Sequence, residues 1–142
     1  MQLVRSCAKN MEEGLVEQSA VEIEISDKAK EWMEEYGADF LVDLIDVYLA
    51  DTPNRIAQMR EAVGGSDTDT LIREAHTLKS SSANVGAMRL SALAKQMELV
   101  WQSGNFAGMA DDVREFEDEF IQVKAALEAL KSSPAEFVSQ ER

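Results

Sequence analysis

The sequence contains one histidine, His76, whose neighbours are of the types that support nucleophilic chemistry on an imidazole ring. At about 100° of rotation per residue, Arg73, Lys79 and Ser80 share one face of a predicted helix with His76, opposite its apolar stripe. An imidazole that accepts a phosphoryl group needs solvent access, a nearby cation and little steric bulk around it. The residues around His76 meet these requirements. A solvated surface histidine is the alternative that a lone histidine leaves open.

A carboxylate, Glu98, is expected to lie beside His76 because of a tight turn near Gly86. The turn joins two predicted antiparallel helices and pairs residues whose numbers sum to about 174. A carboxylate that accepts a hydrogen bond from one ring nitrogen fixes the tautomer and leaves the other nitrogen free as a nucleophile. On geometry alone, Glu98 is equally well explained as a solvated glutamate on the flank of its helix.

Other kinds of site find little support in the sequence. A single histidine excludes a histidine-based metal cluster, and acidic pairs such as Asp111-Asp112 lack calcium-loop spacing. The serines at 80–82 are within about one helical turn of His76, and such neighbours do not form a catalytic triad. The sequence has no glycine-rich phosphate loop followed by Lys-Ser/Thr, so we do not expect the chain to phosphorylate itself from ATP.

The charge of the chain argues against nucleic-acid and membrane partners. The 142 residues carry a net charge of -13, which repels anionic surfaces. Residues 52–100 depart from this balance, with six basic and five acidic side chains. We therefore expect a locally less acidic surface around His76 that suits an acidic partner pocket.

The single cysteine, Cys7, cannot form an intramolecular disulfide, which is compatible with a reducing compartment. No apolar run approaches the roughly 20 residues that span a bilayer, and residues 1–24 lack the apolar core of a signal peptide. These observations predict a soluble, cytoplasmic protein.

Apolar residues recur at spacings of three and four, which predicts helices throughout. Ser26 or Asp27 is expected to cap a first helix that ends at Gly37, and Asp39 opens a second. Pro53 either begins a separate helix or lies in a kink of the second one. The later helices are predicted from Asp67 or Asp69 to Gly86, from about Ala87 to Ser103, and from about Phe106 to Lys131. We predict an all-α fold, an antiparallel four-helix bundle with an additional N-terminal helix, over residues 25–132, between a flexible extension (1–24) and a flexible tail (133–142).

Two apolar stripes illustrate how these helices are expected to form a core. In the helix that carries His76, the stripe comprises Leu71, Ala75, Leu78, Ser82 and Val85. In the second helix it comprises Phe40, Leu44, Val47 and Tyr48, widened by Leu41, Ile45 and Leu49. So broad a stripe indicates burial on two sides.

The residues from His76 to Ala87, His-Thr-Leu-Lys-Ser-Ser-Ser-Ala-Asn-Val-Gly-Ala, followed by Leu90, Leu93 and Glu98, resemble the signature of histidine phosphotransfer (HPt) domains. The resemblance in pattern extends from about Ile25 to Lys131, and residues 71–100 carry its distinctive positions. It implies a four-helix bundle whose exposed histidine receives a phosphoryl group from the aspartyl phosphate of one receiver domain and passes it to another. Such a phosphocarrier is not itself an enzyme.

By this resemblance, each candidate residue has an expected role. His76 matches the phosphorylated histidine, Lys79 the lysine that neutralises the phosphate, and Glu98 a position where Glu or Gln bonds to the histidine. Ser80 replaces a frequent glycine, and its hydroxyl is expected to donate to the phosphoryl oxygens. Gly86 matches a glycine that keeps the docking surface open, and the expected docking surface consists of Ile72, Arg73, Ala83 and Gly86.

The resemblance also implies the partners. They are receiver domains of a hybrid sensor kinase or of a response regulator, which supply their own acidic residues and Mg²⁺, while the chain is a monomer with no intrinsic cofactor or metal. The alternative is a helical adaptor that binds a signalling partner without phosphate chemistry, its Met- and Phe-rich stripes facing that partner.

Overall fold

The structure is a computed structural model that describes residues 20–132. Within that range the chain forms five helices: α1 (Ala20–Tyr36), α2 (Ala38–Gly65), α3 (Thr68–Asn84), α4 (Met88–Gln102) and α5 (Met109–Ser132). The predicted all-α fold is confirmed. Among the described helices, none combines the length and apolar character needed to cross a membrane.

Helices α2 to α5 form an antiparallel bundle, and pairs of side chains at successive levels show the direction of the chains. These pairs are Tyr48–Ser82 and Arg55–Glu74 between α2 and α3, Lys79–Ser91 and His76–Glu98 between α3 and α4, and Asp46–Lys131 and Arg60–Glu117 between α2 and α5. In each pair of helices, the residue number rises on one helix as it falls on the other. The short turns predicted from the sequence account for this arrangement, because a short connection places consecutive helices side by side.

The core of the bundle is built from apolar stripes at helical spacing. The predicted stripe of α3 is confirmed, because Leu71, Ala75, Leu78, Ser82 and Val85 are all buried. The hydroxyl of Ser82 is bonded to Tyr48 on α2 at 2.8 Å, which satisfies both polar groups inside the core. At its start, α3 is capped by Asp67, whose side chain accepts from the backbone amide of Thr70. Burial of this stripe fixes the rotation of α3 and turns the opposite face, with His76, towards solvent.

Helix α1 begins earlier than the sequence analysis predicted. It starts at Ala20, so residues 20–24 belong to a helix and not to the predicted extension, of which residues 1–19 lie outside the described part of the chain. Ser26 does not cap the helix, because it is buried within it beside Val21, Ile25 and Ala29. These apolar residues recur every four positions and pack against the bundle, and that tertiary contact extends the helix past the polar residues taken as its cap.

Helix α2 is continuous through Pro53, which decides between the two alternatives left open by the sequence. The centre of its buried face also differs from the prediction. Leu41, Ile45 and Tyr48 are buried, whereas Val47 is 66% exposed. The apolar stripe of α2 was too broad for the sequence to show which of its residues would be most buried. The neighbouring helices cover the side that carries Leu41 and Ile45, which the sequence analysis had placed at the edge of the stripe.

Candidate functional site

The turn between α3 and α4 brings the candidate site together. The amide of Ala87 donates to the carbonyl of Ser82, which closes α3 and reverses the chain. Further along the hairpin, the Ser91 hydroxyl donates to the Lys79 carbonyl at 2.7 Å and ties the two helices together one turn from His76. Sequence reasoning missed this role of Ser91, although its small side chain facing α3 at a tight hairpin was the available signal.

His76 projects from α3 as predicted, with 63% of its side chain exposed. Its Nδ1 atom lies 2.8 Å from Oε2 of Glu98 on α4, which confirms the proximity predicted from the length of the turn. An ionised carboxylate has no proton to donate, so the bond requires Nδ1 to carry one. The neutral ring then has its free lone pair on Nε2.

Glu98 is buried and holds a second partner with its other oxygen. The ammonium group of Lys79 donates to Oε1 at 2.8 Å, so one carboxylate connects the histidine and the lysine. The hydrogen bond from Lys79 holds the pKa of Glu98 below its usual value, against the opposing effect of burial, and the bond from His76 lowers it further. Glu98 is therefore ionised at neutral pH.

Gln102 is a member of the site that the sequence analysis missed. Its side-chain amide donates to Oε2 of Glu98 at 3.4 Å, the same oxygen that accepts from His76. The signal was available, since residues four apart on a helix share a face and Gln102 follows Glu98 by four. At this length the bond is weak, and it adds orientation more than strength.

The other predicted site residues are divided between the surface and the core. Ser80 is exposed, and Ala83 is half-buried. Arg73 is exposed, and its guanidinium lies 3.5 Å from the carboxylate of Glu74. Ile72 is half-buried and packs against the core, so only part of its side chain is available to a partner.

Gly86 does not lie on an open docking surface, and that expectation is corrected. It is buried beneath α1, where a Cβ atom would lie 2.7 Å from Cβ of Lys28 and 2.9 Å from the carbonyl oxygen of Glu24. Its backbone also has a φ of +84°, which glycine adopts without strain. The glycine therefore permits the close approach of α1 to the α3–α4 turn.

Comparison with known proteins agrees with the geometry. The sequence model of a family described as "Hpt domain" matches residues 43–133, more than half of the chain. The chain belongs to the Hpt-domain family. As an Hpt domain it is a phosphorelay intermediate of the histidine phosphotransfer class, a phosphocarrier class whose members interact with receiver domains. Helix α1 lies N-terminal to the matched residues, although it covers the α3–α4 turn.

Two solved structures share the fold of this Hpt domain. One is histidine-containing phosphotransfer protein B (HptB) from Pseudomonas aeruginosa PAO1, with a TM-score of 0.70 and 23% identity over 75% of this chain and 91% of that one. The other is the histidine-containing phosphotransfer domain of ArcB from Escherichia coli, with a TM-score of 0.62 and 17% identity over 74% of this chain and 89% of that one. At these identities the likeness concerns the fold. A search of curated proteins found no match.

Proposed function

We propose that His76 is the phosphorylated residue of this Hpt domain. In this proposal it accepts a phosphoryl group from the aspartyl phosphate of one receiver domain and passes it to the aspartate of another. The observation that carries the proposal is the exposed ring of His76, whose Nδ1 is bonded to Glu98 and whose Nε2 is left with a free lone pair. That combination provides an accessible nucleophile with a fixed orientation.

The transfer balances without an added reactant. The Nε2 lone pair attacks phosphorus, the bond between phosphorus and the aspartyl oxygen breaks, and the electron pair leaves with the aspartate as a carboxylate. The reverse sequence delivers the phosphoryl group to the second receiver. Because the histidine only carries the group, the remaining catalytic groups, including acidic residues and Mg²⁺, are supplied by the receiver, and the chain requires no cofactor of its own.

Two residues near His76 are proposed to stabilise the phosphoryl group. Lys79 lies one helical turn away with 32% of its side chain exposed, so its ammonium group can reach solvent above Glu98. Ser80 is exposed one residue further along α3, and its hydroxyl can donate to a phosphoryl oxygen. Exposed parts of Ile72, Arg73 and Ala83 form the surface that we propose receives the partner.

The proposal extends to the phosphate donor, the cellular compartment and the oligomeric state. It lacks a nucleotide-binding loop, so we propose that phosphate arrives only from a receiver of a hybrid sensor kinase or a response regulator. We propose that the protein acts in the cytoplasm as a monomer, without nucleic-acid or membrane partners. The adaptor alternative loses its main support, because the Met and Phe side chains of the apolar stripes are largely buried in the core, among them Met59, Met97, Phe116 and Phe120.

The test uses phosphorylated receiver domains and the His76→Gln variant. Wild-type protein is expected to acquire a phosphate that is labile in acid and stable in base, while His76→Gln acquires none and keeps its helical circular dichroism. Because the ring is exposed, its replacement leaves the core intact. Failure of the wild-type protein to acquire phosphate from any of several receivers would favour the adaptor. Unchanged labelling of His76→Gln would assign the phosphate to another residue.

A further inference from the structure

Three aromatic side chains form a cluster at the junction of α1 and α2. The ring centroids of Trp32 and Tyr36 lie 5.7 Å apart, those of Trp32 and Phe40 5.5 Å, and those of Tyr36 and Phe40 4.7 Å. Gly37 is the single residue between the two helices, and its positive φ of +93° turns the chain tightly enough for Tyr36 and Phe40 to meet. We call these three rings the aromatic patch.

The aromatic patch is open to solvent. Tyr36 is 56% exposed and Phe40 is 38% exposed, which makes them the exposed aromatic side chains of the described residues, whereas Trp32 packs partly against the core. Aromatic side chains are enriched at protein interfaces, where clustered rings supply much of the binding energy. The patch therefore has the composition of a contact for a partner protein.

A hydrogen bond ties the aromatic patch to the helix that carries His76. The indole Nε1 of Trp32 donates to the carbonyl of Asn84, the last residue of α3, at 2.7 Å. Asn84 follows His76 by eight residues, or about 12 Å along the helix axis. Because α3 carries His76 and also anchors Trp32, the patch has a fixed position relative to the imidazole ring. Ala83, which belongs to the proposed docking surface, precedes Asn84, so that this surface reaches the patch.

The usual size of a protein interface indicates what covers the aromatic patch. A standard interface covers about 800 Å² on each partner, which corresponds to a circle of roughly 16 Å radius. A receiver domain centred on His76 therefore extends past the end of α3 and onto the patch. We propose that Trp32, Tyr36 and Phe40 form a second contact for the receiver domain, separate from the chemistry at His76, that determines how tightly a given receiver binds. The inference rests on the proposed function and deepens it, because it assigns receiver selection to residues that lie N-terminal to the matched Hpt sequence.

The charges beside the aromatic patch define the partner further. Lys28 lies over the Trp32 ring, 5.2 Å from its centroid, and is bonded to Glu31, so that this pair is neutral. The exposed carboxylates of Glu35 and Asp39 adjoin the other two rings in the chain and give this end of the surface a net negative charge. The end beside the imidazole ring carries two cations instead. Since opposite charges across an interface select partners, the receiver that fits presents its acidic pocket to the imidazole and, roughly 12 Å away, an apolar segment with a basic side chain.

The experiment compares two phosphate donors acting on the full chain and on the Tyr36→Ala/Phe40→Ala double variant. One donor is the receiver domain that passes phosphate to the wild-type protein fastest in the receiver experiment, and the other is phosphoramidate, which is too small to touch the patch. With the receiver, the double variant is expected to have a KM raised about tenfold and an unchanged kcat, because the lost contact binds the ground state and the transition state equally. With phosphoramidate, the double variant and the wild type should be phosphorylated at the same rate.

Two further variants show whether the effect belongs to the aromatic patch. Tyr36→Ala alone removes the most exposed of the three rings and should raise the KM for the receiver by a smaller factor. Ile121→Ala removes an exposed apolar side chain from α5, which packs against α1, α2 and α4, and should keep both wild-type rates. Helical circular dichroism checks that each variant is folded.

The possible outcomes separate this inference from the proposed function. Equal KM values for the double variant and the wild type would overturn the inference and leave the proposed function in place. Equal losses of rate with the receiver and with phosphoramidate would also overturn it, because the rings would then support the fold or the His76 site. A concentration-dependent dimer of the wild-type protein that the double variant does not form would assign the patch to a second copy of the chain and contradict the inference. Transfer from no receiver would overturn the proposed function itself and the inference with it.

Discussion

His76 and Glu98 are 22 positions apart in the sequence, and a hydrogen bond of 2.8 Å joins Nδ1 of the histidine to Oε2 of the glutamate. The bond crosses from the exposed face of α3 to a buried position on α4. It therefore links the solvent-facing imidazole ring to a part of the molecule whose position is fixed by packing.

Replacing Lys79 with alanine should slow phosphoryl transfer without unfolding the bundle. The change removes the cation next to the proposed phosphoryl site. Loss of one preorganised electrostatic contact in a water-excluded site typically costs about 100- to 1000-fold in rate, and the partly exposed Lys79 should cost about 10- to 100-fold. The measurement is the transfer rate from a phosphorylated receiver, with the thermal unfolding midpoint as a check on folding. Lys124→Ala removes an exposed lysine from α5, outside the α3–α4 hairpin, and should transfer at the wild-type rate. If Lys79→Ala also transfers at that rate, the lysine has no part in the reaction.

Replacing Gly86 with alanine should destabilise the protein more than the same change at Gly104. Both glycines have positive φ, +84° and +92°, so both substitutions incur backbone strain of roughly 1–2 kcal/mol. At Gly86 the added Cβ also meets Lys28 and the backbone of α1, whereas at Gly104 nothing lies within 4 Å. The additional crowding should cost about 1–3 kcal/mol.

Urea unfolding at neutral pH measures this difference directly. Equal losses of unfolding free energy in the two variants would mean that α1 does not pack closely against the α3–α4 turn. A loss confined to Gly86→Ala, or clearly larger there, would establish that the glycine serves the contact between α1 and the α3–α4 turn.

Tyr48 should make the stability of the bundle fall in alkaline solution. Burial raises the pKa of its hydroxyl from 10.0 to about 12, against the lowering effect of its hydrogen bond with Ser82. Because the pKa is higher in the folded state, the stabilising contribution is fully present below pH 10 and is lost as the pH rises from 10 through 12. At pH 11 the loss should be about 1 kcal/mol.

The Tyr48→Phe variant isolates this effect. It should be less stable than the wild type near pH 8, because the Ser82 hydroxyl loses its buried partner, and the gap should narrow towards pH 11. Urea unfolding at the two pH values gives both numbers. Tyr36→Phe, at an exposed tyrosine, serves as the control and should keep the wild-type response to pH. If the difference in unfolding free energy between the wild type and Tyr48→Phe were the same at both pH values, the alkaline loss of stability would not come from Tyr48.

Much of the candidate site was predictable because it depends on local geometry. The helical period places His76 opposite the buried stripe of α3, and the short turn fixes which residue of α4 lies across from it. Both features follow from neighbouring residues and one connection, so position in the sequence was enough to pair His76 with Glu98. The resemblance of residues 71–100 to HPt domains added the expected chemistry.

Contacts between elements that are distant in the chain were decided only by the tertiary structure. The start of α1 at Ala20, the burial of Gly86 and the exposure of Val47 all depend on which helix covers which surface. Periodicity defines an apolar face only to within the width of its stripe, and it does not say which neighbour will cover that face.

The hydrogen bond of Lys79 to Glu98 is another contact that depends on the tertiary structure. The sequence places a cation one turn from His76, but only the folded hairpin shows that the cation is bonded to Glu98, so that one buried carboxylate serves both residues. The order of residues was sufficient to predict the helices, the outward histidine and its partner across the turn. The tertiary structure decided how that partner is charged, buried and shared, because those properties arise from packing between helices and not from the order of residues within one.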